Sequence, residues 1–193
     1  MPLPFRIRKP NIDSRDKYQH AQDLYFCHLD SFQNGPGTDL WKFFGWDFFH
    51  DGKITSFKFN PDLSEVQMQI KGCNFRTFDD SGDFNYEEPM DFVCTFRNVL
   101  KFSIDQESSE NFDVRKRSRP TYLYSEINTA LPKSSAIANS QYSSLLIQAL
   151  GCEDYIWVKI IFKELNVLPK DHARFEQLQS NPKTDSPLFC PHT

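Results

Sequence analysis

Glu65-Val66-Gln67-Met68-Gln69-Ile70-Lys71 alternates apolar and polar residues without a break. In an extended chain Val66, Met68 and Ile70 share one face, and Glu65, Gln67, Gln69 and Lys71 share the other. Successive side chains of a strand point to opposite sides, so a period of two marks a strand with one buried and one wet face. Upstream, 53–59 is rich in Phe, Ile and Thr, and Asn60-Pro61-Asp62 supplies turn chemistry between the two segments. The pair is predicted as a β-hairpin with a slightly long turn.

The same period recurs downstream. Met90, Phe92, Cys94 and Phe96 alternate with Asp91, Val93, Thr95 and Arg97, and Leu100, Phe102 and Ile104 alternate with Lys101, Ser103 and Asp105. Residues 121–128 are β-prone, with Leu123 and Ile127 opposite Tyr122 and Tyr124. In 155–164, Ile156, Val158, Ile160 and Phe162 alternate with Tyr155, Trp157, Lys159 and Lys163. Segment 141–150 fits a helix through Tyr142, Leu145, Leu146, Ala149 and Leu150, or a strand through Leu145, Ile147 and Ala149. The strong strand that follows favours hairpin pairing, and therefore a strand.

Alternating strands with few helical stretches between them specify an antiparallel sheet with one buried face, not a parallel α/β sheet. The expected fold is mainly β with some α: an antiparallel, sandwich-like or strongly curved sheet over 45–168. Residues 1–44 supply a Pro-rich basic arm and a helix at 14–30, capped by Ser14, that pack on the sheet. Residues 169–193 supply a short helix at 171–179 and a mobile tail.

The chain has 193 residues, 22 Lys and Arg against 26 Asp and Glu, and a net charge of −4. An acidic balance makes nucleic acid an unlikely partner, because phosphate neutralisation supplies most of that affinity. Five Cys at 27, 73, 94, 152 and 190 are odd in number and widely spaced, without C-x-x-C, which suggests neither a disulfide framework nor a zinc site. Reduced thiols and the missing apolar stretch after the basic N-terminus point to the cytoplasm. No run approaches the length of a membrane-spanning helix.

Nineteen Phe, 7 Tyr and 3 Trp make the chain 15% aromatic, which excludes wholesale disorder. Six aromatics fall in Trp41-Lys42-Phe43-Phe44-Gly45-Trp46-Asp47-Phe48-Phe49. Each would bury about 150–250 Å², too much to leave in water on a stable monomer, so the run is expected inside, with Trp41 and Trp46 largely buried.

Three clusters could carry function. The segment 79–91 holds Asp79, Asp80, Asp83, Glu87, Glu88 and Asp91 with no Lys or Arg. It fails as a calcium loop, since Phe84 stands at the required Gly and Met90 at the bidentate Glu. An acidic surface that steers a basic partner fits it better, against a merely solvated hairpin loop. His50-Asp51, with Asp47 nearby, could line a pocket as an acid–base pair. The other His residues show no ligand spacing, and a turn at the strand start explains the doublet equally. Arg115-Lys116-Arg117-Ser118-Arg119 could grip phosphate, with Tyr122 and Tyr124 to stack on bases, or guard a sheet edge. No catalytic set, metal site, nucleotide loop or cofactor motif is found.

Phe49-His50-Asp51-Gly52-Lys53-Ile54-Thr55-Ser56-Phe57 resembles the opening F-H-D-x-x-I-x-S-I strand of small bacterial β-proteins, some of them grouped with immunity proteins of polymorphic toxin systems. Those proteins have a second strand like 66–70, a segment like Val93-Cys94-Thr95-Phe96-Arg97-Asn98-Val99 and a closing strand like 156–167. The resemblance covers about residues 48–168 of this sequence, leaving out the first 45 residues and the acidic loop. It implies an antiparallel β domain and no catalytic residues. The leading expectation is a non-enzymatic protein-binding module, of immunity type, that covers a basic toxin through Asp79, Asp80, Asp83, Glu87 and Glu88. The alternative is a small-molecule-binding protein or hydrolase using Asp47, His50 and Asp51.

Overall fold

A computed structural model of the chain describes residues 27, 40–45, 48–49, 51–78, 81, 83–106, 121–130, 142–150, 155–181 and 184–185. In chain order the strands are β1 (Lys53–Phe59), β2 (Glu65–Cys73), β3 (Arg76–Phe78), β4 (Phe84–Tyr86), β5 (Met90–Arg97), β6 (Lys101–Gln106), β7 (Thr121–Ala130), β8 (Tyr142–Leu150), β9 (Tyr155–Phe162), β10 (Glu164–Pro169) and β11 (Thr184–Asp185). A π-helical turn, Trp41–Gly45, precedes them, and helix α1 (His172–Ser180) follows β10. The protein is mainly antiparallel β, as its alternation predicts. Of the segment expected as a helix at 14–30, Cys27 alone is among the described residues, and it is exposed.

The Glu65 repeat sits near the middle of the sheet. Strand β2 pairs with β1 on one side and β5 on the other, setting Val66 opposite Phe96, Met68 opposite Cys94 and Ile70 opposite Phe92. All six are fully buried, because cross-strand partners share a face and this face is the inner one. Strand β8 resolves the ambiguity of 141–150 in favour of a strand, with Leu145, Ile147 and Ala149 inward and paired with Ile160, Val158 and Ile156 of β9.

Eight strands pair antiparallel in the order β10-β5-β2-β1-β7-β8-β9-β6. Between β1 and β7 the registered contact is a single pair, Lys53 with Thr121. Two backbone bonds beside it, Tyr122 N–H to the Gly52 carbonyl at 2.7 Å and Asp51 N–H to the Tyr122 carbonyl at 3.0 Å, hold this junction. At the ends of the order the chain does something the sequence conceals. Strand β5 runs through Asn98–Leu100 into β6, and β9 runs through Lys163 into β10, while β5 pairs with β10 and β6 with β9. The four strands are one kinked two-stranded ribbon that holds both ends of the sheet. Hydrogen bonds continue through the kink, from Lys163 N–H to the Arg97 carbonyl and from Leu100 N–H to the Ile161 carbonyl. Strands that bend from one sheet region into another are how β folds turn corners.

Ring contacts measure the curvature. Strands β5 and β9 are five places apart in the order, a separation of about 24 Å in a flat sheet at roughly 4.8 Å per strand. Yet the Phe96 and Phe162 ring centroids are 5.0 Å apart. Phe57 and Phe59 of β1 likewise meet Phe102 of β6, four places away, at 5.2 and 5.0 Å.

The aromatic run fills the concave face. Phe43, Phe44, Phe48 and Phe49 are buried, and Trp41 is partly buried against the core. Phe44 packs between Phe96 of β5 and Tyr122 of β7, its ring tilted to both, and its carbonyl accepts a hydrogen bond from the Ser125 hydroxyl. Phe43 reaches Phe92 of β5 and Phe175 of α1. Trp46 lies outside the described residues.

Two details depart from expectation. A bulge between Tyr122 and Tyr124 puts Tyr122 on the same inner face as Ile127, where simple alternation sets them on opposite faces. Thr184 and Asp185, expected within a mobile tail, pair with Thr77 and Arg76 as β11.

Candidate functional site

The acidic segment is built around a hairpin. Strands β3 and β4 pair Arg76 with Tyr86, Thr77 with Asn85 and Phe78 with Phe84, and with β11 they form a small second sheet. The turn between them carries Asp79, Asp80 and Asp83. Asp79 and Asp80 lie outside the described residues. Asp83 is exposed and accepts a hydrogen bond from the Ser81 hydroxyl at 3.3 Å.

Glu87 and Glu88 lie past the hairpin, on the stretch that returns to β5, and their surroundings differ from those of Asp83. The Glu87 N–H donates to the Phe75 carbonyl at 3.0 Å, and its carboxylate accepts from the Thr77 hydroxyl at 3.1 Å. The Arg174 guanidinium reaches across from α1, 3.9 Å from the Glu87 carboxylate, 3.5 Å from that of Glu88, and 2.7 Å from the Glu88 carbonyl. Asp171 caps α1 by accepting the Arg174 N–H at 3.0 Å, which fixes where that arginine leaves the helix. Further along, Asp91 accepts the Gly72 N–H at 3.1 Å and pairs with Lys170 at 3.4 Å.

The three described acids thus differ in their surroundings: Asp83 is exposed. Glu87 is spent on internal structure and Glu88 is tethered through its carbonyl, although its side chain remains 90% exposed. Sequence reasoning did not foresee Arg174. The one available signal is that 79–91 contains no cation of its own, so a packed acidic segment must borrow one from elsewhere.

Of the second candidate set, Asp47 and His50 lie outside the described residues. Asp51 is exposed, with φ of 68°, a left-handed conformation that Asp, Asn and Gly adopt most readily. It forms the corner between the aromatic run and β1. The Gly52 N–H closes that corner on the Phe49 carbonyl at 2.9 Å. A Cβ on Gly52 would come within 2.7 Å of the Ile70 Cγ2 and 2.9 Å of the Cys73 Sγ, so Gly52 meets a packing demand of its own.

The thiols of Cys73 and Cys94 are free and buried on the inner face. Burial pushes both well above the ordinary thiol range, and the Asp91 charge adds to the effect at Cys73. Such neutral thiols make poor nucleophiles and poor metal ligands. Among the described residues no three His, Cys, Asp or Glu side chains are grouped to hold a metal ion.

The basic cluster 115–119 lies outside the described residues. Tyr122, expected to offer a stacking surface beside it, is fully buried under Phe44 and Phe49 and cannot meet a base. No helix among the described residues is long and apolar enough to cross a membrane. No protein-family model and no curated protein matches the chain.

Proposed function

We propose that the chain is a non-enzymatic protein-binding module, of the immunity type that its strand pattern resembles, and that the β3–β4 hairpin presents Asp79, Asp80 and Asp83 to a basic partner. The observation that carries this reading is the mounting of the hairpin. Its base is held by Glu87, by β11 and by the Arg174 bond to the Glu88 carbonyl, while Asp83 and the Glu88 carboxylate face solvent. Acidic groups on a braced support lose little entropy on meeting lysine or arginine side chains, and they raise the rate of encounter with a basic surface. A curved sheet filled with phenylalanine suits this role, since its concave face is given over to packing. The free buried thiols fit a cytoplasmic site of action.

The test is affinity capture from the source cells with the wild-type chain and with a D79N/D80N/D83N variant. A basic protein held by the wild type should associate with the variant about tenfold or more slowly at low salt, and the difference should shrink as salt rises. Equal capture and equal association rates would remove the hairpin from the interface.

A further inference from the structure

Strand β6 closes one end of the strand order. It pairs with β9 along one edge, and among the described residues no strand covers the other. A bare edge is a template for another chain, and proteins commonly guard it with proline, charge or a covering element. The opposite end is guarded in this way: β10 stops at Pro169, and α1 packs beside it. Strand β6 contains no proline, and its two charges are arranged in an unusual manner.

The strand reads Lys101-Phe102-Ser103-Ile104-Asp105-Gln106. Phe102 and Ile104 stand opposite Ile160 and Val158, which are buried, so they lie on the inner face; Lys101, Ser103 and Asp105 lie on the outer. The order of residues is self-complementary about Ser103. If two copies meet antiparallel with a two-fold axis at Ser103, Lys101 of each faces Asp105 of the other, and Phe102 of each faces Ile104 of the other. A slip of one residue would set inner-face residues against outer-face ones. A slip of two would set Lys101 against Ser103, or Asp105 against Ser103, and lose both ion pairs. Only the register about Ser103 satisfies charge and hydropathy together.

The surroundings fit the same register. Lys101 and Asp105 are exposed, and neither has an ion pair among the described residues. Beside them runs an incompletely covered apolar strip: Ile104 is 50% exposed, and Phe59 and Leu100 are each 45% exposed. Phe59 meets Phe102 edge to face, so the strip is continuous from β1 to the edge of β6. We propose that two copies of the chain associate through antiparallel pairing of their β6 strands about Ser103, joining two sheets into one across a two-fold axis. The two-fold makes the interface isologous, so each favourable pair occurs twice. Backbone hydrogen bonds along the new ladder supply affinity, and the Lys101–Asp105 pairs select the register.

Sedimentation velocity over low-micromolar to several-hundred-micromolar concentrations tests this directly. The wild type should pass from monomer to dimer over that range. K101D and D105K each place like charges opposite one another at two positions, and each should raise the dissociation constant about tenfold or more. The double swap K101D/D105K recreates the opposite-charge pairs with their signs exchanged and should restore dimerisation. Circular dichroism and melting of the monomeric variants check that these exposed substitutions leave the fold intact. A wild type that stays monomeric throughout, a dimer indifferent to both single reversals, or a double swap as weak as the singles would each overturn the proposal.

Discussion

Phe92 lies where most of the packed segments meet, and truncating it should damage the fold more than removing any half-exposed ring. It is fully buried, opposite Ile70 on β2 and Pro169 on β10. Its ring lies 5.4 Å from those of Phe48 and Phe49, 5.6 Å from Phe175, 6.2 Å from Phe43 and 6.3 Å from Phe75. These partners come from the aromatic run, the β2–β3 connection and α1, so no single segment can shift to close the hole. Phe→Ala changes in such places cost about 3–5 kcal/mol, and the loss of edge-to-face pairs argues for the upper end. Against a typical total of about 5–15 kcal/mol, Phe92→Ala removes a large share of the stability. At about 2–4 °C per kcal/mol for a chain of this size, the melting temperature should drop by about 6–20 °C. Urea titration followed by circular dichroism and tryptophan fluorescence reads the change, and Phe59→Ala, at a site 45% exposed, is the control with an expected cost of about 1 kcal/mol. If Phe92→Ala costs no more than Phe59→Ala, the aromatic run does not fill the concave face and the account of the core is wrong.

Gly52→Ala should cost about 2–3 kcal/mol, because the new methyl meets Ile70 and Cys73 side chains and the Phe49 carbonyl oxygen at 2.9 Å, which the Gly52 N–H already holds; an unchanged denaturant midpoint would contradict this. The buried thiols set an alkaline limit. In the unfolded chain Cys73 and Cys94 ionise near 9.0, while in the folded chain burial holds both higher, so their contribution is complete below pH 9 and is lost as pH rises beyond it. The loss is at most about 1.4 kcal/mol per thiol per pH unit, and urea titrations of wild type and Cys94→Ala at about pH 8 and about pH 10 should show a shallower decline in the variant. Arg174→Ala should cost only about 1 kcal/mol, since its ion pairs are partly exposed, but hydrogen exchange in α1 should quicken while β5 keeps its protection; equal exchange in both proteins would deny Arg174 its anchoring role.

Where a strand has one wet face, its sequence announces it. Val66, Met68 and Ile70 specify β2 by alternation alone, and the inward faces of β5, β8 and β9 follow from the same period. Asp171 ahead of an amphipathic stretch likewise announces α1. What remains hidden is whatever depends on contacts distant in sequence. Strands β3, β4 and β11 have two or three residues each, too few to show a period, and are defined by their partners. The bulge at Tyr122 is fixed by pairing with β8, so the inward placement of Tyr122 contradicts its local pattern. The interruption at Lys163 is one residue long, yet it separates pairing with β8 from pairing with β5. The acidic candidate site was legible as a charge run. That Asp83 is exposed while Glu87 and the Glu88 carbonyl are bonded internally was not, because Arg174 lies 86 positions beyond Glu88.

The kinked ribbon also constrains the order in which the chain can be completed during synthesis. Strands β1, β2 and β5 are contiguous enough to pair as soon as they leave the ribosome, but their other border is supplied by β10, and Asn98 meets Glu164 across 66 positions. Until that stretch emerges, the row of Phe92, Cys94 and Phe96 has water where β10 and β9 will later stand. Non-local pairing of this kind slows folding and prolongs the exposure of apolar surface. A nascent chain stalled before residue 155 should therefore be a better client for hydrophobic chaperones than one released at full length.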